Sequence, residues 1–507
     1  MMERENGFPQ IPKGWVSAQL YDIVEPIESL NPKTIPDWQF FYLDINSINN
    51  QKQVVESPKT YLGSDAPSRA RQLVKEGDIL FSTVRTYLKN IARVTTRYNN
   101  QIASTGFCVI RPLEPLNKDF YFHFVQTDKF LNPLNAIQRG TSYPAVRDSD
   151  VFSQVVLIPS LPEQQRIVTK IEELFTRLDA GVEALKKIKA QLKRYRQAVL
   201  KYAFEGKLTE KWRETHRNEL EPASVLLERI KAERKKQLGN KYKEPPPVDD
   251  SDLPQLPQGW AWIRFIQIAS PQRNAIKRGP FGSAIKKSYF VPKGFKVYEQ
   301  QNAIYDNHSL GEYYISESKF RELIQFEVRP LDFIVSCSGT IGKVSQLPED
   351  AEPGVINQAL LKITIDDTLL NSRYFIHLFR SPTCQKRVLQ ETRGSAMKNI
   401  ASVADLKEIP IPLPSFAEQF VIADEVERHL SVTDSIEEIV DQSLKRAQGL
   451  RQSILKQAFE GKLVPQDPND EPAEKLLERI KTEKARLEEE KKAKKVTSRK
   501  GKKKETS

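Results

Sequence analysis

Apolar side chains recur every three or four positions along two long stretches of the chain, residues 162–208 and 416–463. The stripe of the first stretch runs from Ile167 to Val199, and the second keeps the same spacing if Thr433 fills its one wider gap. This spacing puts the apolar residues on one face of an α-helix and leaves charged and amide residues on the other faces. Each stretch is therefore predicted to form one long helix. About 44 residues at ~1.5 Å per residue give a rod of roughly 66 Å, too long to lie along one small domain.

The two helical stretches are copies of one sequence unit. Each has a Glu-Gln pair near its start, at 163–164 and 418–419, and each ends in Ala-Phe-Glu-Gly-Lys-Leu. The offset is 255 residues at both ends (418 − 163 and 458 − 203), which indicates the duplication of a structural unit. Gly206 and Gly461 stand where a C′ glycine would end each helix. Periodicity alone is equally compatible with a generic coiled coil that only dimerises, whereas the duplication favours pairing within one chain.

Each long helix follows a module with its own entrance and exit. Ile11-Pro-Lys-Gly-Trp15 opens the first module and Leu256-Pro-Gln-Gly-Trp260 opens the second, and a proline-rich exit precedes each helix. Between entrance and exit lie helical patterns, at residues 120–130 and 372–379, and short β-rich runs bounded by Gly, Pro, Asn and Asp. The predicted strands are residues 41–45, 78–82, 106–110, 155–158, 332–336 and 358–364. The fold class is therefore predicted to be α+β, with two such modules alternating with two long helices.

A charged segment with the sequence Leu-Leu-Glu-Arg-Ile-Lys follows each long helix, starting at residue 226 and again at 476. The proline-rich stretch 243–250 after the first of them is typical of a stiff, solvated linker. The predicted organisation is a first module at 1–161, a long helix at 162–208, a charged helix and linker at 209–255, a second module at 256–415, a second long helix at 416–463, and a charged helix with a basic tail at 464–507.

Composition narrows the classes of protein that fit. The 507 residues suffice for two to four domains, and the longest apolar runs are only a few residues, so no transmembrane segment is expected. The N-terminal sequence has no apolar core segment, and we expect no secretory signal. The three cysteines are far apart and have neither metal-ligand nor disulfide spacing, so a reducing cytoplasm is the expected compartment. A net charge of +12 permits a polyanionic partner such as DNA without requiring one.

No catalytic constellation is found in the sequence. There is no Asp/Asn-Pro-Pro-aromatic motif for amino-methylation and no dinucleotide-binding glycine pattern. Ser338-Gly-Thr-Ile-Gly-Lys343 differs from a phosphate-binding loop because Val344 stands where a metal-binding hydroxyl is required. The five histidines are dispersed and join no cysteine cluster. We therefore expect this chain to carry no active site, no metal and no cofactor of its own.

Polar, glycine-punctuated loops in both modules carry basic and aromatic residues, a composition suited to nucleic acid. They are residues 85–89 and 139–147 in the first module, and residues 278–287, 336–343 and 393–399 in the second.

An ordinary solvated loop could have the same composition, but the loops before the two long helices are matched in register. Arg139 and Arg393 stand 254 residues apart, close to the helix offset. The candidate DNA-binding residues are Arg85, Tyr87, Lys89, Arg139, Thr141, Ser142, Tyr143, Arg147, Arg278, Ser283, Lys286, Lys287, Ser338, Thr340, Lys343, Arg393, Ser395, Lys398 and Asn399.

The chain resembles the specificity (S) subunit of type I restriction–modification systems. The resemblance rests on the combination of the entrance, the exit, the Glu-Gln pair and the closing Ala-Phe-Glu-Gly-Lys-Leu. The resemblance covers nearly the whole chain and also rests on Arg196-Gln-Ala-Val-Leu200, Arg451-Gln-Ser-Ile-Leu455 and Gly279-Pro-Phe-Gly-Ser283. The first module departs from the pattern because it has no equivalent of the last of these motifs. In this family the two recognition domains are expected to differ, since each reads a different half-site.

The resemblance implies two target-recognition domains, each binding one half of a split, asymmetric site in double-stranded DNA. It also implies that the long helices pair as an intramolecular antiparallel coiled coil with a pseudo-two-fold axis and act as a spacer. Two methyltransferase subunits and further restriction subunits would be the partners. Adenine methylation with S-adenosylmethionine, and cleavage that uses ATP and Mg²⁺, would belong to those partners.

Two other classes of protein stay open at the level of sequence. The chain could be a coiled-coil scaffold whose α+β modules bind protein, or an enzyme with an unrecognised nuclease or hydrolase site. Steeply salt-dependent DNA binding would argue against the scaffold. An activity of the isolated chain that is lost on mutation of clustered acidic residues would favour the enzyme.

Overall fold

The computed structural model of the chain describes residues 11–391 and 398–504, and the side chains at 282, 390, 391, 398, 399 and 491–504 lie outside the described ones. These residues form two compact units. The first unit contains the described residues up to Leu185 and those from Gln442 onward, and the second unit is Lys186–Asp441. Each unit therefore holds one α+β module and a part of each long helix.

The module of the first unit is built from short strands around three short helices. Its strands are β1 (Val16–Gln19), β2 (Glu28–Ser29), β3 (Gln39–Leu43), β4 (Ile48–Asn49), β5 (Val54–Val55), β6 (Lys59–Leu62), β7 (Ala70–Val74), β8 (Ile79–Ser82), β9 (Ile91–Arg93), β10 (Gln101–Ser104), β11 (Phe107–Ile110) and β12 (Val155–Ile158). Its helices are α1 (Lys118–Phe124), α2 (Asp128–Ala136) and α3 (Asp148–Phe152). One mixed sheet has the order β2-β7-β10-β3-β6, and a second, antiparallel sheet has the order β11-β8-β9. Strand β1 pairs with β12, so the entrance of the module closes against its exit.

The first long helix, α4 (Leu161–Phe204), is followed by α5 (Glu210–Thr215) and α6 (Ala223–Leu238). The module of the second unit comes next. Its strands are β13 (Ala261–Arg264), β14 (Ile276–Arg278), β15 (Phe290–Val291), β16 (Phe295–Tyr298), β17 (Tyr314–Ile315), β18 (Glu327–Val328), β19 (Phe333–Ser336), β20 (Val344–Gln346), β21 (Gly354–Ile356), β22 (Leu360–Ile363), β23 (Leu389–Glu391), β24 (Lys398–Ile400) and β25 (Pro410–Leu413). Its helices are α7 (Phe265–Ile268), α8 (Gln300–Ile304), α9 (Glu317–Glu322), α10 (Ser372–Arg380), α11 (Pro382–Val388) and α12 (Val403–Glu408). The second long helix is α13 (Phe416–Phe459), and α14 (Ala473–Lys504) follows it.

The sheets of the second module follow the plan of the first, with differences at the edges of the sheets. An antiparallel sheet has the order β14-β22-β19-β20, in which β22, β19 and β20 correspond to β11, β8 and β9. A mixed sheet has the order β15-β17-β16-β21-β18, and β13 closes against β25 as β1 closes against β12. Strand β14 adds an edge that the corresponding sheet of the first unit does not have.

The two long helices, 44 residues each, pair antiparallel within each unit. In the first unit Arg451 of α13 forms an ion pair with Asp179 of α4, at 2.6 Å. In the second unit Lys189 of α4 lies 2.6 Å from Asp441 of α13, and Arg196 lies 2.9 Å from Glu437. Residue numbers therefore rise along one helix as they fall along the other. Thr433, predicted to fill the apolar stripe, is buried. The predicted intramolecular antiparallel pair is confirmed.

Each long helix ends against the entrance of a module. Gly206 follows α4 with a φ of +70°, and Gly461 follows α13 with a φ of +68°, so both C′ glycines are confirmed. A Cβ on Gly206 would lie 2.3 Å from Pro257, and one on Gly461 would lie 2.8 Å from Pro12. The closing motif of each helix is therefore fitted to the proline of an entrance motif in the same unit.

The cores contain both ends of the long helices. Phe204, at the end of α4, packs with Tyr374 in the second unit, and Phe459, at the end of α13, packs with Phe120 in the first. The charged segments contribute too, because each presents three buried apolar residues to a core. These residues are Ala223, Leu226 and Ile230 of α6, and Ala473, Leu476 and Ile480 of α14. They are thus structural helices of the modules as well as connections.

Residues 120–130, where the sequence shows a helical pattern, belong to two short helices. The structure has α1 and α2 there, separated at Val125–Thr127. The Thr127 side chain caps α2 by accepting a hydrogen bond from the Phe130 backbone N–H, at 3.2 Å. The apolar pattern continues across this break because both short helices face the same core, which is why periodicity did not show it.

Candidate nucleic-acid interface

In each unit a candidate loop follows a strand of the antiparallel sheet and is closed by a backbone hydrogen bond. In the first unit the backbone N–H of Ser82, at the end of β8, donates to the carbonyl of Asn90 at 3.1 Å and closes the 83–89 loop. In the second unit the N–H of Ser336, at the end of β19, donates to the carbonyl of Lys343 at 2.9 Å and closes the 337–342 loop. The two loops therefore occupy corresponding positions in the two modules.

In the first unit the structure brings the two predicted loops together. The Arg85 backbone N–H donates to the carbonyl of Pro144 at 2.7 Å, and its guanidinium donates to the carbonyl of Ser142 at 2.8 Å. The same guanidinium lies over the Tyr143 ring, 4.8 Å from its centroid. Arg85 has a φ of +49°, an uncommon conformation that these contacts hold in place. Residues 85–89 and 139–147 thus form one surface.

The candidate side chains of this surface differ in how freely they can meet a ligand. Tyr87, Thr141, Ser142, Tyr143 and Arg147 are exposed. Two cations are already paired, since Lys89 lies 3.0 Å from Asp128 and Arg139 lies 2.7 Å from Asp150. The Arg139 pair lowers the pKa of Asp150, chiefly through the side-chain hydrogen bond. Each pair has one solvent-exposed partner, so a phosphate could compete with the carboxylate for the cation.

In the second unit two predicted loops share one end of a sheet. Strand register places Arg278, the last residue of β14, beside Leu361, and Ser336, the last residue of β19, beside Leu360. The loops that leave β14 and β19 therefore emerge on either side of the turn before β22. A Cβ on Gly279 would lie 1.8 Å from the carbonyl oxygen of Asn357 in that turn, so only glycine fits there.

The 337–342 loop is held by its own hydrogen bonds. The Ser336 hydroxyl donates to the carbonyl of Thr340 at 2.6 Å and accepts from the Lys343 backbone N–H at 3.0 Å. The Gln385 side chain of α11 donates to the carbonyl of Gly342 at 3.1 Å. The candidate side chains Ser338 and Thr340 are exposed on this loop, and Lys343 is exposed directly after it.

The other candidates of the second unit fall into three groups. Ser283, Lys286 and Lys287 are exposed after the Gly279 turn, and Arg278 is partly buried. Lys398 and Asn399 lie on β24, whose backbone pairs with β23 and whose side chains lie outside the described ones. Arg393 and Ser395 lie outside the described residues altogether.

The sequence did not point to the role of the Glu-Gln pairs, which the structure supplies. Glu163 accepts a hydrogen bond from the indole of Trp15 at 3.0 Å, and Glu418 accepts one from Trp260 at 2.8 Å. Burial raises the pKa of Glu163 despite that hydrogen bond. The neighbouring Gln164 accepts from the Asn117 backbone N–H at 3.0 Å. These residues fix the first turn of each long helix to its module. The sequence signal for this role is that the entrance motif and the Glu-Gln pair are repeated together.

Sequence reasoning also left one exposed residue out of the candidate set. Phe281, inside the Gly-Pro-Phe-Gly-Ser motif, has 91% of its surface exposed. The sequence of a loop motif does not indicate which side chain projects into solvent, so the exposure of Phe281 could be obtained only from the structure.

Within the described part of the chain, no group of three or more His, Cys, Asp and Glu residues is arranged to hold a metal ion. A search of the same residues found no helix that is both long and apolar enough to span a membrane.

Comparison with known proteins defines the class of this chain. Residues 12–194 and 280–446 match the family model described as the type I restriction modification DNA specificity domain. Together the two matches cover more than half of the chain, which therefore belongs to this family of type I specificity subunits. The resemblance drawn from the motifs is confirmed.

Particular relatives match over most of their length. The EcoDI specificity subunit of Escherichia coli is 29% identical over 364 residues, which are 68% of this chain and 72% of the relative. The EcoKI specificity subunit of Escherichia coli strain K12 is 23% identical over 497 residues, 94% of this chain and 97% of the relative.

Solved structures support the same fold. A chain from a study of complex assembly and conformational transition of the type I R-M system gives a TM-score of 0.64 at 27% identity, covering 90% of this chain and 100% of the other. The HsdS subunit of Thermoanaerobacter tengcongensis gives a TM-score of 0.55 at 26% identity, covering 90% and 98% of the two chains.

Proposed function

We propose that this chain is the DNA-reading, non-catalytic subunit of a type I methyltransferase and restriction complex. Each α+β module reads one half of a split, asymmetric DNA site. The paired long helices set the number of base pairs between the halves, which are spanned but not read.

The observation that carries this proposal is the matched frame of the two candidate surfaces. The hydrogen bond from Ser82 to Asn90 has its counterpart in the bond from Ser336 to Lys343, yet the loops they close differ in sequence. Arg85 and Tyr143 stack in the first unit, whereas the second unit adds β14 and the Gly279 turn beside its loop. A shared frame with different surfaces suits two half-sites of different sequence.

The docking of partner subunits is supported by apolar side chains exposed on the second long helix. Val432 and Ile439 are exposed in the second unit, and Leu450 is exposed in the first. Apolar side chains exposed on a helix offer surface that another protein could bury. We propose that two methyltransferase subunits bind the duplicated helical surface and that restriction subunits join them. S-adenosylmethionine, ATP and Mg²⁺ would be used by those subunits.

The proposal is tested by reconstituting methyl transfer with radiolabelled S-adenosylmethionine. The purified chain alone is expected to transfer no methyl groups, and the methyltransferase subunits alone are expected to lack sequence preference. Adding the chain to those subunits should give methylation of adenine in one split sequence. Methyl transfer by the chain alone, or unchanged preference on adding it, would refute the proposal.

A point substitution tests the first recognition surface. Arg85→Ala removes the cation stacked on Tyr143 and should weaken DNA binding by the complex about tenfold, within the range for one specific contact. Arg321→Ala is the matched control, because Arg321 is an exposed cation paired only within α9, with Glu317. If both variants bind DNA as the wild type does, the first surface is not the reader.

A further inference from the structure

The side chain of Phe281 stands almost free of the fold. It is 91% exposed, more than the other described large apolar side chains, of which Tyr143 follows at 72%. Burial of a Phe ring normally contributes to folding, so this residue gives the second unit little stability. An aromatic ring that does not serve the core is suited to contact with a ligand.

The backbone presents this ring rigidly. The N–H of Gly279 donates to the carbonyl of Leu360 at 2.9 Å, and Gly279 lies directly against the carbonyl of Asn357. Pro280 restricts the next φ angle. The carbonyl of Phe281 accepts from the Ala284 N–H at 2.9 Å, which closes the turn behind the ring. This loop is therefore already ordered in the free protein, so that little conformational entropy is lost there on binding.

Phe281 shares the lining of a cavity with several cations. The ring lies at the rim of a cavity of about 1440 Å³ in the second unit. The cations along its wall include Lys241, Lys243, Lys277, Arg278 and Lys407. Glu322, a carboxylate of the same wall, lies 2.8 Å from Lys319. An exposed ring at a cavity with cations along its wall fits a stacked base with its phosphates better than it fits the apolar core of a protein interface.

We propose that Phe281 is a wedge that inserts beside a base step in the half-site bound by the second unit and unstacks it. The cations of the cavity hold the flanking phosphates while the ring replaces the lost base stacking. Unstacking lowers the cost of extruding a nearby adenine for methylation. The inference rests on the proposed function and names the residue through which the second unit deforms its half-site.

The wedge is predicted to act on one half-site only. Among the described residues of the first unit, the antiparallel sheet ends at β11 and has no strand equivalent to β14. The sequence of the first module contains no Gly-Pro-Phe motif. The half-site of the first unit therefore provides a control within every DNA molecule.

The test uses the full chain assembled with its methyltransferase subunits. The DNA duplexes carry the sequence that this complex methylates, with 2-aminopurine next to the target adenine of one half-site or the other. Phe281→Ala should weaken binding about tenfold, the loss expected for one base–aromatic stack. It should also reduce the rise in 2-aminopurine fluorescence in the second half-site while leaving the rise in the first unchanged. Phe281→Trp should restore both, because it keeps an aromatic face. Val225→Ala, which shortens an exposed apolar side chain on α6, should leave binding within twofold of the wild type.

Two results would overturn the inference while leaving the proposed function intact. One is Phe281→Ala binding and fluorescence within twofold of the wild type. The other is failure of this variant to assemble with the methyltransferase subunits, which would make Phe281 an anchor for protein. Absence of sequence-specific DNA binding by the wild-type complex would overturn the proposed function itself.

Discussion

The indole N–H of Trp260 donates to the buried carboxylate of Glu418 at 2.8 Å, and so joins the entrance of the second module to the first turn of a long helix. The same carboxylate accepts from the Thr209 hydroxyl at 2.6 Å and from Arg213 at 3.0 Å. Thr209 and Arg213 follow the first long helix in sequence, so this one group connects both long helices to the module. The orientation of each helix relative to its module depends on such junctions.

The Glu418 junction should therefore be sensitive to substitution. Glu418→Ala leaves three donors without their acceptor, including a largely buried guanidinium, and should cost about 3 kcal/mol or more. Glu163→Ala is the matched variant in the first unit, where the Trp15 indole donates to the carboxylate. Its expected cost is about 1–3 kcal/mol, the usual range for an orphaned neutral donor. Calorimetric unfolding of both variants checks this order, and an equal or larger loss for Glu163→Ala would contradict it.

Two glycines should respond in opposite directions to replacement by alanine. Gly206→Ala forces a positive φ on alanine and a clash with Pro257, so the variant should lose about 1–3 kcal/mol. Gly449 lies inside α13 and a Cβ there would meet nothing within 4 Å. Gly449→Ala should therefore stabilise the chain by about 0.5–1 kcal/mol. Denaturant midpoints of the two variants measure the contrast, which fails if both shift in the same direction.

The stability of the first unit should decrease as the pH is lowered, because of His123. Burial, followed by the charges of Arg451 and Arg93, lowers its pKa to about 4. Its Nδ1 is buried and has no hydrogen-bond partner among the described residues. The unfolded chain binds a proton at this site below about pH 6.5 while the folded chain does not, so stability is lost progressively between about pH 6.5 and pH 4.

The size of the His123 effect can be isolated with a neutral replacement. His123→Phe keeps an aromatic ring against Phe175 and removes the titrating group. The difference in unfolding free energy between wild type and variant should change by up to about 3 kcal/mol across that pH range. Carboxylates that titrate in the same range affect both proteins equally. A difference that does not vary with pH would exclude His123 as the cause.

The spacer proposal makes a prediction about helix length. Lys189 faces Asp441, so a lengthened pair requires four extra residues near Ala190 in α4 and four near Asp441 in α13. The double insertion should lengthen the unread spacer and leave both half-site sequences unchanged, since four residues add about 6 Å to each helix. Insertion in α4 alone breaks the register and should lower stability and activity. Methylated-motif sequencing reads the result, and an altered half-site would contradict the spacer role.

Much of the architecture could be predicted because it depends on local and repeated signals. The apolar stripe, Thr433 within it and the glycines Gly206 and Gly461 specify the long helices from sequence alone. Strands such as 155–158 were found because β-rich residues lie between clear breakers. Duplication then extended each local prediction to the other half of the chain.

The features that sequence missed depend on contacts between distant residues. Trp15 and Glu163 are 148 positions apart, so their hydrogen bond has no local signature. The break at Thr127 competes with a continuous apolar pattern, and only the cap geometry shows which of the two prevails. The exposure of Phe281 depends on strand β14 and the Asn357 turn, which a linear motif does not describe. The positions of the candidate loops could thus be predicted, but not the side chains that project from them.

The central claim is that this chain selects the DNA sequence that its partners methylate. Its most direct test is genome-wide sequencing of methylated adenines in the source strain, with and without the gene. One split, asymmetric motif should lose methylation on both halves when the gene is deleted and regain it when the gene is restored. Methylation of every motif at the same level in both strains would contradict the claim.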